Sequence, residues 1–132
     1  MQFQHVVDRE YSHYCFHIDW NQLDNHRMSS ATVLVTGGAG YIGSKLVTKL
    51  ISRKFKVTVI DILKYSGNSL NHLFGCKNFY FVNDDVRNKK LMKKLIKKNE
   101  YIIPLAALVG APLCDKNKKE AVAINLNSIK FL

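Results

Sequence analysis

Between Thr32 and Gly43 the chain reads TVLVTGGAGYIG, and the next apolar run, KVTVID, closes on Asp61. Gly37, Gly40 and Gly43 fall where a strand would end and a helix begin. The chemistry such a turn suits is phosphate binding. Gly37 can take backbone angles closed to other residues, Gly40 leaves the main chain open to a pyrophosphate, and Gly43 lets the helix approach the strand. The N–H groups and positive dipole end of the helix then face the phosphates. Asp61 stands about 20 residues beyond the glycines, where a carboxylate at a strand end can accept hydrogen bonds from both adenosine ribose hydroxyls. A carboxylate there repels a 2′-phosphate, and no arginine follows closely, so the pattern favours NAD over NADP. Aspartate after a strand also forms turns in any α/β protein. The specific signal is the whole unit of strand, turn, helix, strand and acid.

The elements that must position these residues alternate regularly. Strands are expected at 32–36, 56–61, 78–82 and 101–105, with helices at 41–54 and 88–98, a helical turn at 70–74 and a last helix from Lys118. Alternating strands and helices with near-continuous apolar strands imply an α/β fold: a Rossmann-type parallel sheet with helices on both faces. Ile124, Ile129, Phe131 and Leu132 keep the last helix apolar to its end with no stop signal. The expectation is therefore the N-terminal portion of such a domain, covering 28–132 and truncated at its C-terminus.

Residues 1–27 are different in kind. They hold no lysine, whereas 28–132 hold sixteen, and they carry His5, His13, His17 and His26 with the only tryptophan, Trp20. They read as a poorly ordered extension. Upstream sequence read through before a start at Met28 explains them better than an accessory segment does. The H-x-C-x-H arrangement of His13, Cys15 and His17 matches no familiar zinc spacing, so no metal site is expected.

Length, charge and cysteines narrow the class further. At 132 residues with 47% hydrophobic content, one domain with a modest core is expected. The net charge of +10 is densest at Lys89, Lys90, Lys93, Lys94, Lys97 and Lys98, around a stripe of Leu91, Met92, Leu95 and Ile96. No aromatic residue interleaves to stack bases, so this reads as the solvated face of an outer helix and no nucleic-acid partner is expected. The longest apolar run, Tyr101 to Cys114, is broken by Pro104, Gly110 and Pro112 and is shorter than the roughly 20 residues of a membrane span. No secretory signal opens the chain, and Cys15, Cys76 and Cys114 are odd in number and scattered. Reduced thiols in a cytoplasmic setting, with no membrane association, are expected.

Four motifs at their respective spacings, TGGAGYIGS, VID, DDVRN and LAALVG, resemble the N-terminal part of the extended short-chain dehydrogenase/reductase family. Within it the closest resemblance is to the NAD-dependent nucleotide-sugar epimerases and dehydratases, the UDP-glucose 4-epimerase group among them. It covers residues 32–132. The resemblance implies NAD as cofactor, a nucleotide-sugar substrate and a possible homodimer for the full-length protein. Gly37, Gly40, Tyr41, Ile42 and Gly43 would wrap the pyrophosphate, and Asp61 would hold the ribose. Asp85 would accept from the adenine amino group while Val86 packs on the ring, and Leu105, Ala106 and Ala107 would line the path to the nicotinamide. On local grounds Asp85 could equally cap the lysine helix, and the LAA segment could be ordinary core. Asn125 resembles a family asparagine and reads as structural.

Two departures stand out. Pro104 replaces a residue before LAA that is histidine in many relatives, and proline removes a ladder donor from a central strand. The family's catalytic Tyr-x-x-x-Lys occurs here only as Tyr41 and Lys45, inside the phosphate turn and far from any hydride transfer. No catalytic residue is therefore assigned, and the chain alone is expected to be inactive. A non-catalytic NAD(P)-binding module of the same family is the alternative.

Overall fold

The computed structural model describes residues 31–65 and 67–132. The N-terminal extension, Met28 and the His13, Cys15, His17 arrangement lie outside the described residues.

Four strands form one parallel sheet: β1 (Thr32–Thr36), β2 (Lys56–Asp61), β3 (Phe79–Asn83) and β4 (Tyr101–Pro104). Their order is β3-β2-β1-β4, so β1 and β2 are central and the chain reverses its winding after β3. That is the strand order of a Rossmann half, whose ligand crevice opens at the carboxyl ends of the central strands. The register places Thr36 beside Ile60 on one side and beside Pro104 on the other.

Alternation along β1 explains the two cores. Val33 and Val35 point to one face and pack with Val57 and Val59 against Val47 and Ile51 of helix α1 (Tyr41–Ser52). Leu34 and Ile60 point to the other face and pack against Met92 and Leu95 of helix α2 (Lys89–Lys98). The sheet is thus covered on both faces. The six lysines of α2 occupy the side of the helix away from that stripe, and all are exposed or partly so.

Helix α1 stops two residues before the expected end, for a reason set by the backbone. Lys54 turns left-handed at φ 69°. Lys54 N–H then donates to Ile51 O at 3.0 Å and Phe55 N–H to Leu50 O at 3.2 Å, which closes the helix in a Schellman arrangement. Helix α2 starts at a side-chain cap: Asn88 Oδ1 accepts from Leu91 N–H at 3.2 Å. A short 3-10 turn, Asn71–Leu73, sits between β2 and β3 and buries Leu73.

Pro104 ends β4 rather than distorting it. In this register Thr36 O accepts from Leu105 N–H, at 3.0 Å, so the ladder asks for no donor from Pro104. The chain then forms α3 (Ala111–Lys116), a helix absent from the sequence-based expectation. Pro112 lies in its first turn, where a missing N–H costs nothing. The expected last helix is present as α4 (Lys118–Val122), a π-turn over Ala123–Asn127, and α5 (Ser128–Phe131).

Candidate functional site

The glycine turn is built by close backbone approach. Gly37 has φ +69°, and a Cβ placed there would lie 2.6 Å from Ala106 N and 2.7 Å from Ala106 Cα. Gly43 is equally constrained: its Cβ would overlap Gly37 O and come within 2.7 Å of Gly38 Cα. Helix α1 therefore packs on the turn itself, a closer contact than the helix-to-strand approach expected for Gly43. Gly38, which sequence reasoning passes over, faces Val59, whose Cγ1 would lie 2.6 Å from an added Cβ. Gly40 is the contrast. Its Cβ would meet only Gly37 O, at 3.3 Å, and would otherwise project into open space.

That open space lies at an uncapped helix start. Gly40 is the N-cap of α1, no side chain caps this end, and no acid sits in the first turn. The leading N–H groups and the positive end of a twelve-residue helix are left for an anion. A side chain at Gly40 would fill the space that a pyrophosphate needs, so the residues present fit a dinucleotide.

Asp61 closes the turn from below. Its Oδ2 accepts from Ala39 N–H at 2.9 Å and its Oδ1 from Leu63 N–H at 2.8 Å. Each carboxylate oxygen keeps a further lone pair for a ligand hydroxyl. Leu63 itself is left-handed at φ 56°, and its bond to Asp61 holds the loop leaving β2 in that conformation. From the outer side, Ser69 Oγ donates to Ala39 O at 2.7 Å. The turn is thus gripped from both sides, through Ala39.

At the end of β3, Asp85 is bound by Arg87. Arg87 donates from Nε and Nη2, the latter at 2.6 Å, and its backbone N–H reaches Asp85 Oδ1 at 2.8 Å. The hydrogen-bonded guanidinium holds the Asp85 carboxyl below its ordinary value, against the opposing pull of partial burial. The helix-cap role falls to Asn88, held by Asp84 Oδ2 at 3.1 Å, which leaves Asp85 free of capping.

At the end of β4, Thr36 and Asn125 fix the LAA segment. The buried Thr36 hydroxyl accepts from Ala106 N–H at 3.2 Å. Asn125 takes both backbone groups of Leu108, accepting its N–H and donating to its carbonyl, each at 2.8 Å. That bidentate grip fits the structural reading of Asn125.

One cleft joins these pieces. The turn contributes Gly37, Ala39 and Gly40, β2 and its loop contribute Ile60 to Tyr65, and the loop after β3 contributes Asp84, Asp85 and Val86. Leu105 to Leu108 and Ile124 complete it. Eight of the eleven residues singled out from sequence line this one space: Gly37, Gly40, Asp61, Asp85, Val86, Leu105, Ala106 and Ala107. Tyr41, Ile42 and Gly43 do not. Gly43 is buried under the turn, while Tyr41 is 90% and Ile42 67% exposed on the first turn of α1. Neither side chain is among the cleft lining.

Sequence reasoning misses three charged residues around this cleft. Lys64 lines it, and Glu120 on α4 pairs with Lys64 at 3.7 Å and with Arg87 Nη1 at 3.9 Å. A lysine close behind Asp61 is visible in the sequence; its partner on a distant helix is not. Among the described residues, no group of three or more His, Cys, Asp or Glu side chains is placed to hold a metal, and no helix is long and apolar enough to cross a membrane.

Comparison with known proteins agrees with this architecture. Residues 33–129 match the model of the NAD dependent epimerase/dehydratase family. A protein of Methanocaldococcus jannaschii described as an uncharacterized membrane protein is 35% identical over 72% of this chain and 29% of its own length. A UDP-N-acetylglucosamine 4-epimerase from Methanobrevibacter ruminantium, solved with UDP-N-acetylmuramic acid, superposes with TM-score 0.69 at 32% identity, covering 77% of this chain and 33% of that one. The UDP-glucose 4-epimerase of Thermus thermophilus, solved with NAD, gives TM-score 0.65 at 27% identity over 76% of this chain and 32% of that one. The chain spans about a third of the length of the proteins it matches.

Proposed function

This chain belongs to the NAD-dependent epimerase/dehydratase family, and from that premise we propose that it forms the NAD-holding part of a nucleotide-sugar epimerase or dehydratase. The observation that carries the reading is the single cleft joining the uncapped glycine turn, Asp61, Asp85 with Val86, and the LAA segment. In the proposed complex the main chain at Gly37, Gly40 and the start of α1 holds the pyrophosphate. Asp61 accepts from the ribose hydroxyls, Asp85 accepts from the adenine amino group, and Val86 packs on the ring. Leu105, Ala106 and Ala107 wall the approach to the nicotinamide, and Thr36 keeps that wall close to the turn. Bound NAD would supply the hydride acceptor for oxidation of a sugar carbon. The substrate of the whole protein is then a nucleotide sugar, as in the relatives solved with one, and the setting is cytoplasmic, in keeping with the scattered cysteines. A homodimer of the whole protein belongs to the same reading.

The test is calorimetric titration of NAD into the chain and into Asp61→Ala. Hydrogen bonds to a charged group are worth about 1.5–3 kcal/mol, so the variant should bind NAD roughly tenfold or more weakly. Circular dichroism on the same sample separates this from loss of the turn through Ala39. A folded variant with unchanged affinity would remove Asp61 from the site.

A second reading has its own observation. The one Tyr-x-x-x-Lys spacing, Tyr41 and Lys45, lies on α1 with the tyrosine ring in solvent and outside the cleft. A non-catalytic NAD(P)-binding module would look the same. Residues 1–132 alone should turn over no nucleotide sugar in a coupled assay, and measured turnover would contradict both readings. A Tyr-x-x-x-Lys encoded downstream of Leu132 supports the enzyme; its absence from the complete coding sequence supports the module.

A further inference from the structure

In the sequence, NAD is favoured over NADP by Asp61 and by the lack of a nearby arginine. The fold changes the second of these. Lys64, three positions after Asp61, lines the same cleft, and Arg87 stands beside it on the loop after β3, bound to the cleft residue Asp85. Two cations beside the ribose end of a dinucleotide cleft are what a 2′-phosphate would use, since an arginine near this position accommodates that group. Both are already engaged by one side chain. Glu120, reaching over from α4, sets one carboxylate oxygen 3.7 Å from Lys64 Nζ and the other 3.9 Å from Arg87 Nη1. Asp85 holds the opposite side of the same guanidinium at 2.6 Å.

We propose that Glu120 is a positioning residue for cofactor choice: it engages Lys64 and Arg87 together, denies both to a 2′-phosphate, and so biases the cleft toward NAD. The inference rests on the dinucleotide reading of the cleft. It assigns the discrimination to two carboxylates of different origin. Asp61 opposes the 2′-phosphate directly at the strand end. Glu120 acts indirectly, from a helix that sequence analysis links to no ligand. The pairs it makes are partly exposed, with about a third of the Glu120 side-chain surface and two-fifths of the Lys64 and Arg87 surfaces open to solvent. Their individual worth is therefore modest, and the effect lies in where the two positive charges are held rather than in fold stability.

The test compares NAD and NADP affinities by calorimetry for the unmodified chain, Glu120→Gln, and Glu120→Gln combined with Lys64→Ala. Glutamine keeps the shape of the side chain and removes only its charge. The unmodified chain should prefer NAD. Glu120→Gln should narrow that preference about twofold to fivefold, mainly through tighter NADP binding, as expected for freeing partly screened charges. Lys64→Ala in the same background should remove the gain. A purely structural role for Glu120 would instead weaken both dinucleotides together and leave their ratio unchanged; that outcome overturns the proposal while leaving the NAD site standing. If the unmodified chain binds neither dinucleotide, the reading of the cleft and this inference fall together.

Discussion

The two ends of the cleft are held by different forces. At the turn end, from Gly37 to Gly43 and on to Asp61, main chain packs on main chain, and a Cβ at Gly37, Gly38 or Gly43 would meet neighbouring atoms at under 3.0 Å. At the other end, beyond β2 and β3, Asp85, Arg87, Glu120 and Lys64 meet through side chains that are partly open to water. The helices behind them, α4 and α5, leave Val122, Leu126, Ile129 and Leu132 exposed. The contrast teaches where precision is needed. A pyrophosphate is recognised by main-chain N–H groups, which can be placed only by fixing the backbone. An adenine edge and a ribose are recognised by carboxylates, which can be placed by ion pairs and altered singly.

The comparison breaks first at Gly43. Gly43→Ala puts a methyl group against Gly37 O and Gly38 Cα, backbone atoms of a turn already pinned by Ala39, so neither can yield. Overpacking of this kind costs about 1–3 kcal/mol or more, and thermal unfolding should show a clear fall in Tm. A Gly43→Ala chain as stable as the original would mean that the turn is softer than its contacts indicate.

Asn125→Ala tests the junction between the two ends. It leaves the N–H of buried Leu108 without its partner and the carbonyl with only the weak Cys114 thiol donor, at about 1–3 kcal/mol. Tm should fall, by less than for Gly43→Ala, and amide exchange at Leu108 should quicken.

The smallest effect belongs to the ion pairs. The Asp85 carboxyl lies below its unfolded value because Arg87 binds the charged form. The stabilisation is therefore complete above the ordinary carboxylate range near pH 4 and is lost as pH falls through the lowered native value. Asp85→Asn should flatten this part of the acid-unfolding profile and lower stability at neutral pH by the same small amount, since the pair is partly exposed. A large loss at pH 7 would show that this end of the cleft is as rigid as the turn.

How far the sequence can be read follows the same division. Strands β1 and β2 and the start of α1 are legible to the residue, because glycines, β-branched runs and a terminal acid are local signals. Pro104 fits because the register gives the bond to Thr36 O to Leu105 N–H, a contact between distant segments. Helix α3 is illegible because Gly110 and Pro112 read as breakers, whereas Gly110 is its N-cap and Pro112 lies in its first turn. The cleft residues on the turn, on β2 and in DDVRN are legible from motif spacing. Thr36, Ser69 and Glu120 are not, because each acts on a partner brought near only by the fold.

The central claim is that the described residues carry a dinucleotide site at the carboxyl ends of β1, β2 and β3. The most direct measurement is a titration of the isotope-labelled chain with NAD, followed by amide NMR. The account predicts saturable shifts at Gly37, Gly40, the first turn of α1, Leu63, Val86 and Ala106. No saturable shift at millimolar NAD, or shifts confined to the groove on the outer side of α1 lined by Lys45, Thr48, Lys49 and His72, would contradict it.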